Sequence, residues 1–181
     1  MTLFLILALM AAVGIFVIAA YNRLVKARQM SNNGWSDIDV QLKRRADLIP
    51  NLVTTVQGYA GHEKTLFKDI ADRRSAALSA GDNPAVRGAA EGALGRGAGK
   101  LIALAEDYPD LKANENFLGL QDELSETEDK IEYARRFYNG AVREQNTMIQ
   151  SFPLNIIAGA FGFTAREYFE IDDSDRAVPN V

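Results

Sequence analysis

The clearest periodic pattern in the chain lies in residues 35–56, WSDIDVQLKRRADLIPNLVTTV. Apolar side chains recur there at alternating intervals of three and four, and the pattern continues to residue 70 with interruptions at Arg45 and Glu63. This spacing is typical of one face of an α-helix and not of the two-residue alternation of a strand. The positions are Trp35, Ile38, Leu42, Ile49, Leu52, Val56, Tyr59, Leu66 and Ile70.

Proline occurs once inside this pattern, at Pro50. Its ring lacks a backbone donor and crowds the carbonyl of Ala46, so we expect a kink or a break near Ile49. Side chains of the stripe are expected to serve in helix packing or self-association, foremost Trp35, Leu42, Leu52 and Tyr59.

Toward the amino terminus, residues 3–20 form an uninterrupted uncharged run, LFLILALMAAVGIFVIAA. A helix of this length measures roughly 27 Å, close to the hydrocarbon thickness of a bilayer. A cleaved signal peptide would need a basic region before the apolar run, which this chain lacks. We therefore predict an uncleaved, single-pass membrane anchor in residues 1–22. Its lipid-facing side chains include Leu3, Phe4, Leu9, Val13, Phe16 and Ile18.

Three basic residues, Arg23, Lys26 and Arg28, follow the anchor, and no acidic residue occurs before Asp37. Basic residues beside a membrane helix favour the cytoplasmic side. The pattern therefore predicts that the N-terminus lies outside the bacterial inner membrane and that the body lies in the cytoplasm. The three cations are expected to contact lipid headgroups.

Beyond the first stripe, the sequence between Ser79 and Ala85 is typical of a turn that reverses the helix, with Asp82 or Asn83 as a cap. The following segment, residues 85–107, is rich in small residues. Four of its glycines, at spacings of four, three and four, are expected to share one helix face, where they either allow close packing or leave the helix partly frayed. They are Gly88, Gly92, Gly95 and Gly99. A phosphate-binding loop is excluded because Leu94 and Leu101 occupy positions that the motif reserves for glycine and for Ser or Thr.

A third long segment begins with Asn114 as a plausible cap and Glu115 in the first turn. Its apolar residues keep a near-heptad spacing. Among them, the residues expected to pack or self-associate are Phe117, Leu124, Ile131 and Tyr138. Long segments joined by short turns predict an all-α fold, in which the membrane helix continues into an antiparallel up-and-down bundle of three to four long helices, residues 23–165.

Residues 154–163, LNIIAGAFGF, are apolar but too few to cross a membrane. They are interpreted either as a terminal turn folded against the bundle or as a hydrophobic foot that touches lipid or a sister subunit. Residues 166–181 are predicted to form an acidic, mobile tail.

Composition excludes several chemistries. The chain has no cysteine, which removes disulfides and thiol nucleophiles, and its single histidine leaves few metal sites open. Its formal net charge of -4 argues against nucleic-acid binding. His62 and Glu63 are the only acid–base pair, but the second histidine of a metalloprotease helix is missing. No catalytic residue, cofactor, metal or small-molecule substrate is therefore predicted.

Clusters of like charge also have an ordinary explanation. Lys43, Arg44 and Arg45 could bind phosphate groups, but Asp39 and Asp47 lie four residues either side of Lys43, which favours ion pairs on a helix surface. The acidic residues of the third segment could hold a cation loosely, although a solvated face is the simpler interpretation. They are Glu123, Glu126, Glu128 and Asp129.

Several stretches in order along nearly the whole chain resemble the LemA family of bacterial membrane-associated proteins. They are YNRLV at 21–25, WSDIDVQLKRR at 35–45, DLIPNLV at 47–53, GYA at 58–60, YPDLKANENF at 108–117, FYN at 137–139 and SFP at 151–153. The resemblance implies an N-terminal membrane helix with a short outside end, a soluble antiparallel helical bundle and no established enzymatic role.

The leading hypothesis is a non-enzymatic scaffold or interaction protein at the inner membrane, which forms a homo-oligomer or binds envelope membrane proteins. One alternative is a lipid-binding protein that remodels membranes through the anchor, the basic residues and residues 154–163. Another is an accessory factor of a membrane protease or of an envelope stress or signalling system. A hydrolase that uses His62 with Glu63 is a third class, which lacks further convergent groups.

Overall fold

The computed structural model describes residues 1–171, and these residues form helices and turns without a strand. The prediction of an all-α chain is confirmed. Within these residues, six helices follow one another: α1 Thr2–Gln57, α2 Lys64–Ser79, α3 Pro84–Ala105, α4 Pro109–Lys112, α5 Glu115–Gln150 and α6 Leu154–Ala160.

Helix α1 runs through Pro50 as one helix of 56 residues, so of the kink or break expected near Ile49, the break does not occur. Pro50 cannot donate to the carbonyl of Ala46, which leaves that oxygen without its usual partner. The guanidinium of Arg74, on α2, donates to it instead, with Nε 2.6 Å from the Ala46 oxygen. A partner distant in sequence therefore compensates for the missing backbone hydrogen bond.

The apolar stripe that was predicted to lie on one helix from residue 35 to residue 70 belongs to two helices. Helix α1 ends at Gln57, a loop occupies residues 58–63, and α2 begins at Lys64 with Glu63 as its N-cap residue. The expectation of a single helix is wrong here, and the interruption at Glu63 marks the boundary.

Helices α1 and α5 pack along each other in opposite directions. Ala20 lies in one cluster with Met148, whereas Ile38 and Leu42 pack with Ile131 farther back along α5. Close to Gly34 the two backbones approach so tightly that an added Cβ would lie 3.0 Å from the Cα of Tyr138.

Helices α2 and α3 form a second antiparallel pair, which packs on the far part of α1. The predicted turn and cap between them are present, because the Asn83 side chain accepts a hydrogen bond from the backbone of Val86 and Pro84 opens α3. The cap predicted for α5 is confirmed in the same way, since Asn114 accepts from the backbone of Phe117. The small-residue segment is thus a formed helix rather than a frayed one.

The chain from residue 164 to residue 171 is extended and packs on the helices. The side chain of Phe169 is fully buried beside Ile38 and Tyr138. Residues 166–171, which were assigned to a mobile tail, therefore belong to the packed body. The rest of that predicted tail, residues 172–181, lies outside the described residues.

Candidate functional site

The first part of α1 is exposed along its whole circumference, and Ala20 is its first buried residue. This helix is long and apolar enough to cross a membrane. The side chains predicted to face lipid are all exposed: Leu3, Phe4, Leu9, Val13, Phe16 and Ile18. Their exposure is what a lipid-facing segment requires, because such apolar side chains are seldom left together in water.

The three cations predicted to contact headgroups, Arg23, Lys26 and Arg28, are exposed immediately after this segment. The Arg28 guanidinium also lies 5.0 Å from the centre of the Phe163 ring, in a cation–π contact. Tyr21 packs beside both Phe161 and Phe163. Basic and aromatic side chains thus collect at the level where the apolar segment ends.

A network of ion pairs lies in the middle of the body, with Arg45, Arg87 and Glu91 buried and the outer acids partly exposed. Arg45 is only 1% exposed, and its guanidinium donates to Glu91 Oε2 at 2.7 Å and to Glu128 Oε1 at 2.8 Å. It also donates to the backbone oxygen of Glu91 at 2.9 Å. One side chain therefore joins α1, α3 and α5.

The network extends beyond Arg45. Glu91 accepts a second charge-assisted bond from Arg87 Nε at 3.0 Å, and Arg87 reaches Asp39 of α1 at 3.1 Å. Burial alone would lower the pKa of Arg45, but the charges and hydrogen bonds of Glu128 and Glu91 outweigh burial and raise that pKa. The guanidinium stays ionised although it is buried.

The interpretation of Lys43, Arg44 and Arg45 as a surface charge cluster is wrong for Arg45. Arg44 does lie on the surface and pairs loosely with Glu126. Asp39 and Asp47 pair with arginines of α3 and α2 rather than with Lys43. The sequence did contain a signal for the buried network, because Arg45 occupies a position of the apolar stripe.

The side chains predicted to pack differ in how deeply they lie. Trp35 is half-buried and Tyr59 is exposed, with its hydroxyl accepting from Asn114 Nδ2 at 3.0 Å. The others are buried in the body: Leu42, Leu52, Phe117, Leu124, Ile131 and Tyr138. These contacts are within one chain and leave self-association a prediction.

The four glycines of α3 that were predicted to share one face have different surroundings. A Cβ on Gly88 would overlap the backbone oxygen of Glu170, and one on Gly95 would lie 3.1 Å from the Arg45 guanidinium. Gly92 is buried, whereas Gly99 is exposed and has open space around it. Close packing within the chain thus explains Gly88 and Gly95 but not Gly99.

Side-chain amides of α5 hold the extended C-terminal segment. Asn139 accepts from the backbone nitrogen of Phe169 at 2.9 Å and donates to the oxygen of the same residue at 3.0 Å. Asn146 makes the same reciprocal pair with Arg166. Each asparagine thus pairs with the backbone as a neighbouring strand would. No local sequence pattern indicates this pairing, because the paired residues are 20 or 30 positions apart.

A groove of about 650 Å³ lies between α3 and α5 beside the charge network. Arg45, Gly95, Leu124, Glu128 and Ile131 contribute to its walls. Within residues 1–171, no group of three or more His, Asp or Glu side chains is placed to hold a metal ion.

The acid–base pair considered from the sequence lies elsewhere. His62 and Glu63 are both exposed in the loop between α1 and α2. They are not part of the groove or of the buried network.

The LemA family model matches residues 34–181, which include all of the buried network and the docked C-terminal segment. The chain belongs to the LemA family. The resemblance inferred from short stretches of sequence is confirmed. In this LemA family protein, the apolar start of α1 precedes the matched region.

Curated relatives of this LemA family protein extend the comparison. Magnetosome protein MamQ 2 of Paramagnetospirillum magneticum is 27% identical over an alignment that covers 83% of this chain and 64% of that protein. Magnetosome protein MamQ of Magnetospirillum gryphiswaldense is 25% identical, with 82% and 64% covered. Protein LemA of Metamycoplasma hominis is 26% identical, with 96% and 80% covered.

The chain spans about 64% of the length of the magnetosome relatives. Its family and its apolar N-terminal helix together describe a membrane-associated helical protein with a membrane anchor.

Proposed function

We propose that this protein is a non-enzymatic, membrane-anchored helical scaffold that self-associates at the cytoplasmic face of the bacterial inner membrane. The continuity of α1 carries the proposal, because one helix of 56 residues contains both the exposed apolar segment and the packed body. No loop separates the two parts, so the anchor holds the body beside the bilayer in one orientation along the helix axis. A scaffold needs such a fixed presentation.

An apolar surface runs along the side of the body, where α1 and α5 meet. Val40, Tyr133 and Phe137 are exposed there, around a shallow groove that Lys130 and Asp37 also line. Apolar side chains clustered on a soluble surface favour contact with another protein. A second copy of this chain is the proposed occupant, and an envelope membrane protein is the alternative.

The exposed Arg23, Lys26 and Arg28 support the cytoplasmic placement of the body. Positive residues beside a membrane helix are retained on the cytoplasmic side. The N-terminus of α1 would then lie outside.

The relatives support a non-enzymatic role. They are named for a magnetosome or for the family rather than for a reaction. No cofactor, nucleic acid or small-molecule substrate forms part of the proposal. Assembly with other proteins at a membrane is the function that it assigns.

Cross-linking in intact cells tests self-association. The chain has no cysteine, so Tyr133→Cys introduces a unique thiol on the proposed face. Thr65→Cys, exposed at the start of α2, is the matched control. A bifunctional thiol reagent is expected to convert the Tyr133→Cys variant into a species of twice the 19.9 kDa chain mass and to leave the control at single mass.

Mass measurement in mild detergent provides the second readout. A species of single mass at every concentration, together with no adduct at position 133, would contradict self-association. An adduct of another mass would identify a hetero-complex instead. Adding a membrane-impermeant thiol reagent to sealed cells tests orientation, because the proposed topology protects position 133 until the membrane is permeabilised.

A further inference from the structure

The chain between α5 and the docked C-terminal segment has an unusual surface. No charged residue occurs from Gln145 to Ala165. Three large apolar side chains in this stretch are nevertheless exposed: Phe152 at 80%, Ile156 at 63% and Phe161 at 54%. A soluble surface normally interrupts such a cluster with charges.

Helix α6 divides its side chains between two environments. Ile157 and Ala158 are buried in a cluster with α1 and α5, and Phe163 joins them just after the helix. Ile156, next to Ile157 in the chain, points away from that cluster and is exposed. The inner face therefore fixes α6 to the body, and the outer face has no partner within residues 1–171.

The position of this cluster along α1 sets its depth relative to the membrane. On α1 its members are Ala20, Leu24 and Ala27, with Val17 and Val25 packed at its edge. A membrane-spanning helix that starts at residue 3 crosses roughly 27 Å of hydrocarbon by residue 20. Val17 is inside that span, so the cluster built around α6 reaches the boundary between acyl chains and headgroups.

Aromatic side chains are placed at the same level. The ring of Phe161 lies 5.0 Å from that of Tyr21, the first residue after the apolar run. The Arg28 guanidinium lies over the ring of Phe163, 5.0 Å from its centre. Aromatic rings beside arginine and lysine are typical of the membrane interface.

We propose that α6 and its flanking turns form a second membrane contact, in which Phe152, Ile156 and Phe161 enter the cytoplasmic leaflet beside the anchor. The occupant of this surface is lipid, because the surface is continuous with the exposed apolar helix that spans the membrane. A helix that lies in the interface plane buries its apolar face at the boundary of headgroups and acyl chains. The proposal rests on membrane insertion of α1 and does not depend on self-association.

Depth-dependent quenching tests this contact on the full chain. Ile156→Cys and Phe161→Cys each carry one thiol-linked fluorophore in vesicles of phosphatidylcholine and phosphatidylglycerol. Thr65→Cys is the matched control, since Thr65 is exposed at the start of α2 and lies on neither proposed contact surface, and Leu9→Cys marks the bilayer interior. Lipids with a nitroxide on the acyl chain and aqueous iodide are the two quenchers.

The proposal expects nitroxide lipid to quench positions 156 and 161 and iodide to quench them at least about threefold less than position 65. Iodide quenching equal to that at position 65 would overturn it, because the surface would then face water. Protection from both quenchers would overturn it as well, since a protein partner would then cover the surface. Circular dichroism confirms that each labelled chain is folded.

A second readout avoids the attached fluorophore. Trp35 is the only tryptophan, so the double variant Trp35→Phe/Phe161→Trp reports from position 161 alone. Brominated acyl chains are expected to quench this tryptophan, and an emission spectrum typical of water without such quenching would contradict the proposal. Position 9 is quenched by lipid in either case if the anchor is inserted, so failure of the second contact is distinguished from failure of the anchor and from loss of self-association.

Discussion

In the middle of the body, Arg45 and Glu91 form a buried ion pair, and Arg87 pairs with the same glutamate. At the membrane-facing end, by contrast, no charged residue occurs from Gln145 to Ala165. Buried ion pairs contribute little net free energy, but their geometry is directional. The middle thus uses charges to define how α3 docks on α1 and α5. The cluster around α6 is held by apolar packing, with the cation–π contact between Arg28 and Phe163 at its edge and no buried ion pair among its members.

Removing the acid at the centre of the network is expected to have the largest effect. Glu91→Ala leaves Arg45 and Arg87 without their shared partner inside the body, which is expected to cost about 3–5 kcal/mol of unfolding free energy. Thermal unfolding followed by circular dichroism in mild detergent measures it. The control is Lys130→Ala, which breaks an exposed pair with Glu126 and should cost no more than about 0.5 kcal/mol. Equal losses in both variants would mean that the buried charges have no special role.

At the opposite end, the expected loss comes from packing. Ile157→Ala leaves a cavity in the cluster around α6, and we expect a loss of about 2–3 kcal/mol in the same assay. The neighbouring Ile156→Ala is the matched control and should leave the unfolding free energy unchanged within about 0.5 kcal/mol, because Ile156 is exposed. A large loss in Ile156→Ala would show that this face is packed against protein.

Gly88→Ala tests the close approach between α3 and the C-terminal segment. The new Cβ would overlap the Glu170 carbonyl, so we expect the segment to shift at a cost of about 1–3 kcal/mol. Trp35 reports the shift through its fluorescence, because the Phe169 ring lies 5.7 Å from it. Gly99→Ala, in open space, should instead stabilise α3 by up to about 1 kcal/mol. Unchanged Trp35 emission in Gly88→Ala would contradict the docking.

The bond between Arg74 and the Ala46 carbonyl can be isolated with a double-mutant cycle. Arg74→Ala is expected to cost about 1–2 kcal/mol, because the carbonyl that Pro50 leaves without a donor loses its replacement. In a Pro50→Ala background the backbone donor is restored, and the same substitution should cost little. Additive losses would show that Arg74 acts independently of the proline.

The smallest effect is expected from the Tyr138 hydroxyl, which donates to the Glu167 carbonyl at 2.9 Å. Burial, opposed by Arg166 and assisted by Glu167, raises the pKa of Tyr138 above its ordinary value of 10.0. The resulting stability is complete below pH 10 and declines as the pH rises through the raised pKa, since the unfolded chain ionises first. Tyr138→Phe should cost about 1 kcal/mol at neutral pH and abolish that decline above pH 10. A pH profile that is identical in both chains would rule out this role.

The long helical segments and the caps of α3 and α5 could be predicted from the sequence because the relevant interactions are local, whereas the boundary between α1 and α2 was missed. Asn83 and Asn114 bind backbone groups three residues away, and the apolar intervals of three and four are a property of one helix. The anchor was predictable for the same reason, since a long apolar run needs no partner to be recognised.

What escaped prediction depends on partners far along the chain. Arg45 was predicted to be a surface charge, because its partners Glu91 and Glu128 belong to two other helices and are distant in sequence. Pro50 was expected to kink or break the helix, because the sequence does not show that Arg74 of α2 donates to the carbonyl that the proline leaves without a partner. The two interruptions of the apolar stripe therefore have different causes: Arg45 has a buried acidic partner, whereas Glu63 is exposed at the boundary between two helices.

Because α1 is unbroken, a change in the tilt of the anchor also tilts the part of the helix outside the membrane. The part of α1 beyond residue 20 extends roughly 55 Å from the bilayer surface. Membrane helices adjust their tilt to match the thickness of the bilayer. A change of about 10° in tilt would therefore move the loop at residues 58–63 sideways by about 10 Å. A small change in bilayer thickness thus becomes a large displacement at the end of the protein farthest from the membrane.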